Sequence, residues 1–231
     1  MIMFGLFDPL YFIILAPGLL LSLYATWRTK STFKKYSEVG SQKRMTGAQA
    51  ATIMLERNGI RNVRIEHSDG WLSDHYDPRE KTLRLSNDVY SSNSLSAIGV
   101  ACHEAGHAMQ DAQNYGMLSL RSALVPATNF GSMFSYIFFM VGFIIQPLIY
   151  VGIALFTVCV VFSLITLPVE WDASRRAKIG MDEAGMLSPD ESRHASKVLN
   201  AAFLTYLAAA VTSLLTLLYF LIRSGLLGGD E

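Results

Sequence analysis

Three stretches of this chain, Pro9 to Trp27, Ser122 to Val169 and Val198 to Ile222, contain no Asp, Glu, Lys, Arg or His. A hydrocarbon layer about 30 Å thick is crossed by about 20 apolar residues of helix, so each stretch is long enough to span it. The middle one is about twice the length of a single span and is interrupted near Gln146-Pro147, which reads as two helices joined by a very short turn. The fold class that follows is a mainly α membrane protein with four transmembrane helices. No basic run precedes the first span and basic residues follow it, so the segment reads as an anchor and not as a cleaved signal peptide.

Charge orients the spans. Every Lys and Arg except Arg223 lies between Arg28 and Arg121 or between Glu170 and Lys197. The positive-inside rule puts those two segments in the cytoplasm and both termini outside. The chain then divides into a first anchor (1–27), a cytoplasmic region (28–121), a transmembrane hairpin (122–169), a cytoplasmic helical segment (170–197) and a last span with a tail (198–231). The formal net charge of zero gives no reason to expect a nucleic-acid partner, and the lipid bilayer is the partner the spans imply. Cys102 and Cys159 lack metal-site or redox spacing and read as small buried apolar residues, which suits a reducing compartment.

The cytoplasmic region carries His103-Glu104-Ala105-Gly106-His107. An apolar, small-residue run precedes it, Asn93 or Ser94 offers a cap, and no breaker follows before Gln110, so the motif is expected on a helix. Two histidines four apart on a helix share one face and can supply two ligands to Zn2+, and the adjacent Glu104 can act as general base toward a water attacking a carbonyl. The implied reaction is peptide hydrolysis, with a peptide or membrane-protein substrate. A third histidine six residues on is excluded, because Gln113 stands there. The remaining common solution is a carboxylate from a later helix. Glu170 is the first choice, at the expected start of a helix whose first turn holds Pro168 and whose dipole would tolerate an anion. Asp172, Asp182 and Glu183 are alternatives, and Glu170 could instead pair with Arg175 or Arg176.

Around the motif, Thr46 to Gly59 reads as a capped helix, and Val63-Arg64-Ile65-Glu66 and Lys81 to Ser86 alternate as strands, with Asp74 to Glu80 as the turn between them. A small antiparallel sheet is expected, completing a small α+β zincin-like cytoplasmic domain. Its edge at Leu83-Arg84-Leu85 is the proposed place for an extended substrate to add as a strand. Ser188-Pro189-Asp190-Glu191 is a capping-box start of a helix leading to the last span, and His194 or Arg193 on it could stabilise an oxyanion. His67 and His75 read as solvent residues.

Taken together, Asp74-His75-Tyr76-Asp77-Pro78, Leu83-Arg84-Leu85-Ser86, the motif helix and Leu167-Pro168-Val169-Glu170-Trp171-Asp172-Ala173-Ser174-Arg175-Arg176-Ala177 resemble the bacterial neutral zinc metallopeptidase family, a set of small membrane-bound proteins. More distantly the chain is similar to prenyl-peptide and stress-induced membrane zinc proteases, whose HExxH is completed by an E-x-x-A-D-R-like helix; Glu170, Ala173 and Arg175 match that pattern. Ser174 departs from it, standing where those relatives carry an aspartate that orients a zinc-bound histidine, and Asp172 or Asp111 is the expected substitute for that support. The resemblance implies a gluzincin-type zinc metalloendopeptidase of the bacterial cytoplasmic (inner) membrane. The alternative is a non-catalytic membrane scaffold or binding protein with a structural zinc site, which would use four protein ligands.

Overall fold

A computed structural model describes residues 8–70 and 73–227. Along the chain come α1 (Pro9–Ser37), α2 (Gly47–Arg57), β1 (Arg64–Ser68), β2 (His75–Asp77), β3 (Thr82–Ser86), α3 (Asn87–Tyr90), α4 (Leu95–Ala112), α5 (Gly116–Gly142), α6 (Pro147–Glu183) and α7 (Pro189–Arg223). The protein is mainly helical with a small mixed sheet. Among the described residues α1, α5, α6 and α7 are long and apolar enough to cross a membrane. Only residues 143–146 separate α5 from α6, as the Gln146-Pro147 break predicts. The chain termini, for which an outward placement is expected, fall outside the described residues.

One expected boundary is absent. α6 runs unbroken through Pro168, so Glu170 sits in a helix interior and no helix-terminal dipole steadies its charge. Proline removes one backbone donor, and membrane helices tolerate that loss where neighbours re-satisfy the freed groups. Val169, Ala173 and Ala177 on the far side of the proline are fully buried, and that packing carries the helix onward. At 1.5 Å per residue its 37 residues extend about 55 Å, well beyond the hydrocarbon thickness, so one helix holds both an apolar span and the polar turns from Glu170 to Arg176.

The chain forms two compact units, one of Met1–Ala25, Leu120–Leu167 and Thr205–Glu231, the other of Thr26–Ser119 and Pro168–Leu204. The first is built from apolar helix segments around Phe139, Ile149, Ile153, Phe156, Val160, Tyr219 and Phe220, with Phe139 and Phe220 stacked at 3.8 Å. Small and hydroxylated residues let these helices approach closely. A methyl added to Gly131 would lie 2.7 Å from the Leu155 carbonyl oxygen, and Ser163 and Ser213 share a hydrogen bond of 2.8 Å. Large apolar side chains such as Ile13, Met133 and Ile144 remain exposed, as a lipid-facing surface requires. Arg223, the one basic residue outside the two polar segments, pairs with Asp8 at 3.2 Å, and the Tyr219 hydroxyl donates to the same carboxylate.

The second unit is α+β. Thr46 and Gln49 form the capping box of α2, and Gly59 ends the helix region with φ +72°. Ser94 caps α4 by accepting from the Ala97 N–H. The sheet order is β1-β3-β2, with β1 parallel and β2 antiparallel to β3. This corrects the antiparallel expectation. The segment from 69 to 81 is long enough for a crossover between parallel strands, and the supposed turn itself contains β2, which pairs on the far side of β3. Leu83-Arg84-Leu85 is therefore in the central strand, with Leu83 and Leu85 fully buried and Arg84 paired to Asp77 and Glu80. With neighbours on both sides it cannot receive a substrate strand.

In this unit α4 and α6 meet backbone to backbone, where a methyl on Gly106 would lie 2.5 Å from the Ala173 carbonyl oxygen. Gly106→Ala is expected to cost about 1–3 kcal/mol through overpacking, lowering the thermal midpoint by roughly 2–10 °C and weakening zinc retention. Gly116→Ala, whose methyl would meet nothing within 4 Å, should change neither. Equal midpoints for the two variants would show that the helices are not in backbone contact. Burial also pushes the Cys102 thiol up to about 12. In a Cys159→Ala background maleimide at about pH 8 should leave Cys102 unlabelled until denaturant is added, and labelling of the folded protein would contradict its burial.

Candidate metal centre

The helical repeat of α4 places His103 and His107 one turn apart on the same face, with ring centroids 4.8 Å apart. α6 brings Glu170 to them: its Oε2 lies 3.1 Å from His103 Nε2 and 3.6 Å from His107 Nε2. Glu170 is 1 % exposed. One ligand atom from each residue falls within 4.8 Å of the others, and this is the group among the described residues that could hold a metal ion. Ligand atoms bonded to one tetrahedral zinc at about 2.1 Å stand about 3.4 Å apart, so the spacing fits. The chemistry fits as well, because one ring nitrogen of each histidine and a carboxylate oxygen converge on one point, a donor set that a divalent cation satisfies together when the imidazoles give up their hydrogens there.

Glu104, 9 % exposed, follows His103 on α4. Among the described residues no hydrogen bond or ion pair occupies its carboxylate. Burial works against a charge on the His107 imidazole; the hydrogen bond and charge of Glu170, with the charge of Glu104, prevail and hold its pKa above the ordinary histidine value. Asp74, before β2, is lifted above the usual carboxyl range by burial, with the Glu104 charge adding to the shift. The N–H and hydroxyl of Ser86, which donate to Asp74, oppose it.

Both imidazoles are held from behind. His103 Nδ1 lies 3.1 Å from Ser174 Oγ, so the serine at the aspartate position does contact a histidine. His107 Nδ1 lies 3.0 Å from Gln110 Oε1, and Gln110 Nε2 donates to the Val169 carbonyl and to Asp172. Asp172 also accepts from Arg176 Nε at 2.5 Å. Gln110 was legible only as one turn beyond His107 on the same helix, a spacing that says it can reach the ring but not that it does.

The other candidates sit elsewhere. Asp111 accepts from the Tyr76 hydroxyl and from Lys81, tying β2 to α4 and touching neither histidine. Asp182 accepts from the Ser192 hydroxyl. The carbonyl of Glu183 accepts from Arg57. Arg193 pairs with Asp190, and the His194 ring stacks on Tyr36 at 4.9 Å; among the described residues neither contacts His103, His107 or Glu170.

The chain is 45 % identical over 213 residues to a Bacillus subtilis (strain 168) protein described as "Putative membrane protease YugP", the match covering 91 % of this chain and 94 % of that one. No solved structure matches. The family described as "Putative neutral zinc metallopeptidase" matches residues 11–225. With that match spanning nearly all of the sequence and a three-residue metal group assembled inside it, the chain belongs to the neutral zinc metallopeptidase family.

Proposed function

We propose that this protein is a gluzincin-type zinc endopeptidase of the bacterial cytoplasmic membrane, acting on peptides or membrane proteins. Its ligands would be His103, His107 and Glu170. The observation that carries the reading is the meeting of Glu170 with His103 across 67 residues of chain. Three candidate ligands, where a structural site would use four, favour a site with a position left for substrate over the scaffold alternative. Bound zinc supplies Lewis acidity, polarising a peptide carbonyl and making water acidic enough to lose a proton near neutral pH.

The chain's own residues do the rest. Glu104 accepts the proton of the attacking water and returns it to the departing nitrogen, a role its unoccupied and nearly buried carboxylate suits. The zincin-like part is the α+β unit, and the charge distribution supports its placement in the cytoplasm as residues 28–121 and 170–197. Substrate addition to the sheet moves to β2, the antiparallel edge strand that the Tyr76–Asp111 hydrogen bond of 2.5 Å fastens to the motif helix. His194, stacked on Tyr36, takes no part in this scheme.

Glu104→Gln is expected to keep zinc at wild-type stoichiometry and to lose about 10²–10⁴-fold in peptide turnover. His103→Ala should lose both metal and turnover. Wild-type cleavage by Glu104→Gln would reject the mechanism. For the substrate edge, a photo-crosslinking side chain at His75 should capture a bound peptide, and one at Glu66 on the opposite edge should not. Capture at Glu66 alone would move the substrate to the other side of the sheet.

A further inference from the structure

Gln110 is fully buried, and its two ends meet groups of unequal chemistry. Its Nε2 lies 2.8 Å from the Val169 carbonyl oxygen and 2.9 Å from Asp172 Oδ2. Both are acceptors, and the Asp172 oxygen is already held by the Arg176 guanidinium, so only the NH₂ end of the amide can face them. The amide oxygen is thereby turned toward His107 Nδ1 at 3.0 Å, and a carbonyl oxygen in that place requires a hydrogen on Nδ1. A neutral His107 so held carries its free lone pair on Nε2, the atom that faces Glu170. His103 is treated differently. The Ser174 hydroxyl behind its Nδ1 can donate or accept and selects neither tautomer.

The same amide also bridges the two ligand helices. Val169 and Asp172 flank Glu170 on α6, so a side chain of α4 grips the turn that presents the third ligand. We infer that Gln110 is a positioning residue of the metal centre: it fixes His107 with its hydrogen on Nδ1 and locks the Glu170 turn of α6 against the histidine turn of α4. The inference rests on His107 being a metal ligand, as proposed above.

The test measures metal as well as turnover. Zinc affinity is read by competition with a chromogenic chelator, and site geometry by the visible absorption of the Co2+-substituted protein. Gln110→Leu should weaken zinc binding about 10–100-fold and alter the Co2+ spectrum. Gln110→Glu should also weaken it, by setting a carboxylate against Asp172 and the Val169 carbonyl. In Gln110→Leu the ¹⁵N signals of metal-free His107 at alkaline pH should lose their preference for a hydrogen on Nδ1, a preference that a purely space-filling side chain would not have set. Wild-type affinity and spectrum in folded Gln110→Leu would overturn the inference. If the variants do not fold, ¹⁵N-histidine NMR of the metal-free wild type at alkaline pH decides: a hydrogen on Nδ1 of His107 supports the inference and one on Nε2 overturns it. His107→Ala separates the two layers, since undiminished metal binding there would remove the ligand reading itself.

Discussion

The approach of α4 to α6 at Gly106 is the constraint on which the site depends. With no side chain on Gly106, the motif helix lies against the backbone carbonyl of Ala173, one turn past Glu170. A carboxylate side chain is short, so only helices in backbone contact let Glu170 reach imidazoles on the neighbouring helix. Ala105 and Ala108 on α4 and Ala173 and Ala177 on α6 are fully buried as well. The same helix whose other end is an apolar span thus delivers a carboxylate into the interior of the α+β unit.

A carboxylate as buried as Glu170 would cost several kcal/mol if left alone, because water no longer solvates its charge. Two imidazole nitrogens at 3.1 and 3.6 Å offset part of that, and a dication among the three would offset far more. The burial that makes the site expensive without metal also strengthens its electrostatics when metal is present, since the surroundings screen little. Behind the histidines the support is asymmetric. Ser174 offers His103 an adaptable hydroxyl, whereas Gln110 offers His107 an amide whose orientation is dictated by Asp172 and Val169. Asp172, two residues before Ser174, reaches the other histidine through Gln110.

Reading the chain alone succeeded where chemistry is local in sequence. Absence of charge over a long run is a direct consequence of what a bilayer excludes, so the four apolar helices and the short α5–α6 turn were legible. The cap at Thr46 and the capping box at Ser188 were legible because four consecutive residues contain both donor and acceptor. Reading failed where a residue type permits two outcomes. Pro168 marked a helix start because proline more often breaks helices than sits within them, and only buried packing on both sides carried α6 through it. The strand run at Thr82–Ser86 carried no information on its partners, and the assumption of a hairpin put it at an edge when it is the centre of the sheet.

What the sequence determined by itself is therefore the solvent of each segment and the chemistry available on the motif helix, both set by side-chain polarity and the period of a single helix. The folded chain alone shows which distant acid meets the histidines, which strand is central in the sheet and that Gln110 stands between His107 and Asp172. Those facts depend on distances between segments far apart in the chain, which no local spacing fixes; for the acid, helix packing at Gly106 sets the distance.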